Sequence, residues 1–146
     1  MGYTHYWRRA PEIDAATFAA ASLDCAKVCK ALPVSLAGGD RTGIPTFEAD
    51  SVRFNGVDDD GCETFRVNRI ETQSPWREGE PDVFTFCKTR QRPYDVCVQC
   101  ALIVFRHHFG ERFRVSSDGN SDEWDGAREA CQRVLGYGAD FRIGDD

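Results

Sequence analysis

The sequence is short of lysine and methionine and contains no long apolar run. Its only lysines are Lys27, Lys30 and Lys88, and Met1 is the single methionine. No stretch approaches the ~20 consecutive apolar residues that a membrane-spanning helix needs. No Walker loop, G-x-G-x-x-G or G-x-S-x-G occurs, so the sequence signals of the common nucleotide-binding and serine-hydrolase folds are missing.

The balance of charge and hydrophobicity narrows the class of protein. Hydrophobic residues make up 41% of the 146 positions and aromatic residues 12%, which is typical of a folded chain rather than a disordered one. The net charge of −6 argues against a general nucleic-acid binder, since such domains are usually basic. The length suits one domain, so we predict a single compact domain over residues 1–146.

Seven cysteines cannot all pair with one another inside the chain. The residues after Met1 form no apolar signal-peptide segment, so we expect a cytoplasmic protein with reduced thiols. Most of these cysteines are then expected to be buried as small apolar residues.

Periodicity in the sequence predicts an α+β fold with the element order β-α-β-β-β-α-β-α. About three helices are expected to pack on a mixed sheet. The predicted strands cover residues 3–9, 51–55, 62–70, 83–87 and 112–116. Helices are predicted over residues 11–32, 93–110 and 120–136, with an Asn120/Glu123 capping box at the third, and residues 36–45 are expected to form a loop.

Three strand-to-helix junctions, at residues 7–11, 88–93 and 116–121, are the candidate binding edge. Ligands of open α/β sheets bind beyond the carboxyl ends of strands, and these loops share one edge if their strands run parallel. Arginines beside the free amides of helix starts favour an anionic ligand. Solvated turns and helix caps are the alternative interpretation. The edge comprises Arg8, Arg9, Lys88, Thr89, Arg90, Arg92, Ser116, Ser117, Asp118 and Gly119. The predicted binding residues are Lys88, Arg90, Arg92 and Asp118, with His5 and Tyr94 nearby.

A cysteine–histidine pair is a second hypothesis. Cys87 precedes a basic turn and a helix start, which would favour its thiolate, and His5, His107 or His108 could act as its base. No signature of a cysteine hydrolase surrounds it, so a packed thiol in a strand is the alternative.

Metal binding has weaker signals, and we expect no metal and no cofactor. The pairs Cys25/Cys29 and Cys97/Cys100 lie within predicted helices, where their spacing only repeats one helix face, and not on a turn as zinc ligands usually do. The segment from Asp118 to Glu129 resembles a calcium loop, but Glu123 replaces the glycine that such a loop needs at its sharp turn.

Several segments resemble a family of small proteins from tailed phages, prophages and actinobacterial genomes. They are MGYTHYW at residues 1–7, FCKTRQRPYD at 86–95, IVFRHH at 103–108, VSSDG at 115–119 and CQRVLGYG at 131–138. The family has no established activity, and residues 36–55 match none of it. The resemblance implies a phage-type accessory protein that acts in a bacterial cytoplasm, and it supplies no catalytic residues.

The leading hypothesis is therefore a non-enzymatic binding protein that docks a host or defence protein or a small anionic ligand. An alternative is a small enzyme acting on a nucleotide or phosphoryl substrate, with Cys87, His5, Tyr94 and Asp118 in its site. A third is nucleic-acid contact through a set of arginines, namely Arg90, Arg92, Arg106, Arg112 and Arg114.

Overall fold

Residues 2–143 are described by a computed structural model, which has an α+β fold. The strands are β1 (Thr4–Arg9), β2 (Leu36–Ala37), β3 (Thr46–Phe47), β4 (Ser51–Gly56), β5 (Phe65–Asn68), β6 (Val83–Lys88) and β7 (Phe113–Ser117). The helices are α1 (Ala15–Lys30), which follows β1, α2 (Asp95–Phe109), which follows β6, and α3 (Asp125–Leu135), which follows β7. The predicted fold class is confirmed, and residues 36–55 add two short strands that the sequence did not predict.

The first sheet places β1 in the middle, between β6 and β7, and both pairings are antiparallel. In the second sheet β4 pairs antiparallel with β2, β3 and β5. Every strand pair described is therefore antiparallel rather than part of a mixed sheet. The connection from β6 through α2 to β7 does make those two strands parallel to each other, as a crossover helix requires, but β1 is inserted between them.

Helix α2 forms the centre of the core. Its residues from Cys97 to Phe105 are all buried, as their apolar character in the sequence predicts, and α1 and α3 pack against it. The Asp14 side chain accepts a hydrogen bond from the Thr17 amide and so caps α1. The helix therefore begins at Ala15 rather than at residue 11 as predicted. The predicted Asn120/Glu123 capping box is confirmed, on the short 3-10 turn that leads into α3.

The three-stranded sheet has two chemically different faces. Its inner face carries His5, Trp7 and Arg9 of β1, which are buried toward the helices and the second sheet. Its outer face carries the residues that alternate with them. Directly opposed residues in an antiparallel pair share a face. The register therefore forms one outer row of Phe86, Tyr6 and Ser116, and a second of Phe84, Arg8 and Arg114.

Candidate functional site

The predicted binding edge is divided between opposite ends of the sheet. Because β1 runs antiparallel to both neighbours, the carboxyl ends of β6 and β7 lie beside its amino end. Thr4 is opposite Lys88, and the Thr4 carbonyl accepts a 2.9 Å hydrogen bond from the Asp118 amide. We call this end of the sheet the rim. The junction at residues 7–11 lies at the other end, so Arg8 and Arg9 do not belong to the rim.

Arg9 is a structural residue, in contrast to its predicted place in the binding edge. Its side chain is buried and donates hydrogen bonds to the carbonyls of Ala10, Asn68 and Arg69. These bonds join the end of β1 to the end of β5. Burial lowers the pKa of Arg9 to about 10, because the charged form loses its hydration.

A chain of hydrogen bonds crosses the rim through His5. Its Nδ1 lies 2.8 Å from Ser117 Oγ on β7, and its Nε2 lies 2.7 Å from Asp95 Oδ1 at the first residue of α2. The Thr89 hydroxyl donates to the same Asp95 oxygen. One proton arrangement satisfies every group: Ser117 donates to Nδ1, and Nε2 donates to the carboxylate. The network thus joins β1, β7, α2 and the turn before α2.

Aromatic rings cover His5, the residue at the centre of this network. The Tyr3 ring meets the His5 ring edge-on at 5.2 Å, and the Trp124 ring meets it at 5.0 Å. His5 is 0% exposed, whereas Ser117 keeps partial exposure. Burial, followed by the negative charge of Asp95, raises the pKa of the Tyr3 hydroxyl to about 12. His5 therefore cannot contact a partner and leaves the predicted set of binding residues.

Tyr94 leaves that set for the same reason. It is fully buried, and its hydroxyl donates to the backbone carbonyls of Glu63 and Lys88. It fixes the hairpin that contains Glu63 against the end of β6.

The remaining predicted residues lie at the rim with accessible side chains. Arg90 and Arg92 are exposed, and Arg92 donates to the Asp59 carbonyl. Lys88 is half-buried. The Asp118 carboxylate accepts hydrogen bonds from the Thr4 amide and the Tyr6 hydroxyl, so it is already partnered within the sheet. The structure thus brings four of the six predicted residues to one accessible end.

Cys87 lacks the properties of a nucleophile. It is buried, its thiol donates to the Glu63 carbonyl, and burial raises its pKa far above the ordinary value, which disfavours the thiolate. Neither His107 nor His108 serves Cys87 as a base. His107 stacks on Tyr137 at 3.6 Å, and His108 lies 2.9 Å from Asp24.

All seven cysteines are free thiols, and six of them are buried. The helical pairs pack between helices: Cys29 points to the Cys97 carbonyl, and Cys131 to that of Cys100. Within residues 2–143 no three His, Cys, Asp or Glu side chains are grouped as a metal site. The segment resembling a calcium loop instead forms the capping box described above.

The outer face of the three-stranded sheet is the surface that the predictions missed. Phe86 on this face is 54% exposed, although it lies in the middle of β6. Tyr6, Phe84 and Phe86 form a row of neighbouring rings, with 6.1 Å between centroids at each step. The alternation of residues in the three strands was visible in the sequence, but not which strands are neighbours or which face is open.

Arginines surround this aromatic row. The Arg8 guanidinium lies 5.0 Å and that of Arg77 4.2 Å from the centre of the Phe84 ring. Arg114 is directly opposite Arg8 across the sheet. Glu80 pairs with Arg8 and Arg77, and Asp82 lies 4.0 Å from Arg114. A cavity of about 220 Å³ opens here, lined by Tyr6, Trp7, Arg8, Phe84, Arg114 and Ser116.

A second cavity extends the outer face toward the second sheet. It measures about 420 Å³ and is lined by Gly39, Asp40, Arg53, Thr64, Arg66, Thr85 and Phe86. Arg53 on β4 and Arg66 on β5 are directly opposed and both exposed. Phe84 lines the first cavity and Phe86 the second, and their ring centroids are 6.1 Å apart.

The five arginines of the nucleic-acid hypothesis do not form one surface. Arg90 and Arg92 are at the rim, while Arg106 donates to the Gly110 carbonyl beyond the last turn of α2. Arg112 and Arg114 lie near Asp82 at the outer face.

Comparisons of the chain with family models, with curated proteins and with solved structures return no match. Within the described residues, none of the helices combines the length and the apolar character that crossing a membrane would require.

Proposed function

We propose that the protein is a non-enzymatic binding module that docks an anionic ligand on the outer face of its three-stranded sheet. As the sequence resemblance implies, it would act as a phage-type accessory protein inside a bacterial host. Its ligand would be either a small anion or the acidic surface of a host or defence protein.

The observation that supports this function is a local cluster of arginines on an acidic chain. Arg8, Arg77, Arg112 and Arg114 are grouped at this face, beside Glu80 and Asp82, although the whole chain carries a net charge of −6. Guanidinium groups recognise carboxylates and phosphates through paired hydrogen bonds. An open surface of this kind attracts anions that the rest of the molecule repels.

Chromatography on immobilised heparin tests this function, because an acidic protein is retained by that polyanion only through a concentrated basic surface. We expect the wild-type protein to be retained at low salt. The variant Arg8→Ala/Arg77→Ala/Arg114→Ala should elute with the unbound fraction. The rim variant Lys88→Ala/Arg90→Ala/Arg92→Ala removes the same charge and is the matched control. Loss of retention in the rim variant alone would move the binding surface to the rim, and no retention of the wild type would refute the proposal.

The hydrogen-bond order Ser117–His5–Asp95 favours a second candidate, a small enzyme acting on a nucleotide or phosphoryl substrate. In this candidate Ser117 Oγ attacks phosphorus, its proton moves to His5 Nδ1, and His5 then protonates the leaving oxygen. Ser117 and Asp95 are partly exposed and His5 is buried, so the substrate would reach the Ser117 hydroxyl directly from solvent.

Covalent labelling by a fluorophosphonate probe, read by intact mass, tests the second candidate. An adduct on the wild type that is lost in Ser117→Ala and in His5→Phe supports it. Absence of labelling in the wild-type protein would refute the second candidate, and the Ser117–His5–Asp95 hydrogen bonds would then have only a structural role.

A further inference from the structure

We propose that an extended acidic segment of a partner protein docks by adding a fourth strand to the free edge of β6. This inference rests on the proposed binding function, and it names the conformation of the partner and the place where it binds. The backbone of the segment pairs with β6, and its carboxylates pair with Arg53 and Arg66 of the second sheet.

The backbone of β6 has an unpaired edge. Successive residues of a strand turn their amide and carbonyl groups to alternate sides. The Lys88 amide donates to the Glu63 carboxylate and the Lys88 carbonyl accepts from the Glu63 amide, so the backbone of Lys88 faces away from β1. The backbone groups of Phe84 and Phe86 therefore face away as well. Within residues 2–143 nothing is hydrogen-bonded to their amides or carbonyls.

This edge lacks the features that normally protect an exposed strand. Charged side chains, prolines and bulges discourage pairing with a foreign strand. The run from Val83 to Cys87 contains no charged residue and no proline, and its register with β1 is continuous. Its valine, phenylalanines and threonine all favour extended structure. The edge of β6 is thus suited to recognition by strand addition, in which backbone hydrogen bonds supply the affinity.

Open space lies along this edge. The cavity of about 420 Å³ described above is lined by both Thr85 and Phe86 of β6. Consecutive residues of a strand point to opposite faces of a sheet, so a cavity that contacts both lies at the edge rather than on one face. The Phe86 ring is 54% exposed and offers an apolar contact to one side chain of the incoming strand.

The charges around the cavity select an acidic partner. Arg53 and Arg66 are directly opposed and both exposed, and like charges in such positions destabilise a sheet. In the part of the chain that the structure describes, neither guanidinium forms an ion pair, although Asp40 lines the same cavity. Carboxylates of a bound segment would relieve this repulsion. A second copy of β6 would not, because the run from Val83 to Lys88 carries no carboxylate.

Hydrogen exchange followed by NMR tests the pairing, with the full chain and a synthetic peptide of about eight residues that alternates glutamate and valine. The Phe84 and Phe86 amides should exchange rapidly in the free protein and at least about tenfold more slowly in the complex. The Thr85 amide faces β1, so it is the internal control and should be protected in both states. Unchanged exchange of Phe84 and Phe86 at saturating peptide would overturn the inference. So would their protection in a free protein that sediments as a dimer, because the edge would then be occupied by a second copy.

Backbone methylation of the peptide separates strand pairing from attraction between charges. In an extended peptide the glutamate amides point to one side and the valine amides to the other, so only one set can face β6. Fluorescence anisotropy should show that N-methylation of one set weakens binding by at least about tenfold, while N-methylation of the other set leaves it unchanged. Equal effects of the two methylated peptides would contradict docking through the edge.

The arginines have a separate readout. Arg53→Ala/Arg66→Ala should weaken binding of the peptide by at least about tenfold. The matched control is Lys27→Ala/Lys30→Ala, which removes the same charge from exposed positions on α1 and should bind as tightly as the wild type. Equal binding of a peptide with lysine in place of glutamate would refute an acidic partner.

The heparin experiment distinguishes failure of this inference from failure of the proposed function, because the two tests depend on different arginines. Retention on heparin without binding of the peptide overturns strand addition and leaves the anion-binding function in place. Absence of both overturns both proposals.

Discussion

The imidazole of His5 lies 2.7 Å from the Asp95 carboxylate and 2.8 Å from the Ser117 hydroxyl, so one buried ring joins the middle strand of the sheet to α2 and to β7. Both ring nitrogens are satisfied without solvent. His5 therefore stabilises the fold in two ways: by its own packing, and by supplying the hydrogen-bond partners of the Ser117 hydroxyl and the Asp95 carboxylate.

Replacing His5 by phenylalanine should destabilise the protein by about 2–4 kcal/mol. The new ring can still pack between Tyr3 and Trp124, but Ser117 loses its acceptor and Asp95 loses its donor. Urea unfolding followed by circular dichroism measures the change. His107→Phe, at an exposed position where stacking on Tyr137 is preserved, should stay within about 0.5 kcal/mol of the wild type. Equal stability of the two variants would contradict a structural role for His5.

Arg9→Met should lower the free energy of unfolding by about 3 kcal/mol, because the buried or partly buried carbonyls of Ala10, Asn68 and Arg69 lose their donor. Arg9→Lys should recover only part of this loss, since an ammonium lacks the planar fork that reaches several carbonyls at once. Arg133→Met on the exposed side of α3 is the matched control. A fully stable Arg9→Met would show that these hydrogen bonds contribute nothing.

In the native protein one thiol, that of Cys62, should react rapidly with Ellman's reagent, and all seven should react after denaturation. The other six are buried, and burial raises the pKa of thiols such as Cys25 and Cys87, which keeps them protonated. Cys62→Ser should abolish the rapid phase. A second rapid thiol assigned to Cys87 would restore the hypothesis of a cysteine nucleophile.

The tyrosines should lower the free energy of unfolding as the pH rises above about 10. Unfolded tyrosines ionise near pH ~10, whereas burial and a nearby carboxylate raise the pKa of Tyr3 to about 12. Between these values the unfolded chain binds fewer protons, so the free energy of unfolding falls with pH. The pKa values of Tyr6, Tyr94 and Tyr137 are raised as well. The lowered pKa of Arg9 makes the free energy of unfolding rise with pH in this range, but Arg9 is one group and the tyrosines are four.

Tyrosinate absorbance measures this directly. Below the unfolding transition it should stay low, and it should then rise together with the loss of the circular dichroism signal. Gradual ionisation of four tyrosines near pH ~10 in a protein that is still folded would contradict the prediction.

Local features of the fold were predictable from the sequence, and long-range pairings were not. The apolar run of α2 and the Asn120/Glu123 capping box are short-range patterns, and both are confirmed. The partners of His5 are 90 and 112 residues away along the chain, and no periodicity connects them. The relative direction of the strands also cannot be read from local sequence. The assumption of parallel strands therefore placed Arg8 and Arg9 at the same edge as Lys88, whereas β1 is antiparallel to β6 and β7.

The candidate site was predictable only in part, for the same reason. The sequence shows that Tyr6 and Arg8 alternate with the buried residues of β1, and that Phe84 and Phe86 do so in β6. It does not show that these two strands are neighbours. The outer face becomes a surface only when the register joins them to Arg114.

The central position of β1 has a consequence for how the protein is made. On the ribosome this strand is synthesised long before either neighbour, since His5 pairs with Cys87 and with Ser117. Until β6 and β7 have left the exit tunnel, both edges of β1 remain unpaired, with Trp7 uncovered. Sheets built from segments that are far apart in the sequence fold slowly, and their folding intermediates expose apolar surface that is prone to aggregate. Nascent chains of this protein are therefore expected to need chaperone protection until translation is nearly complete.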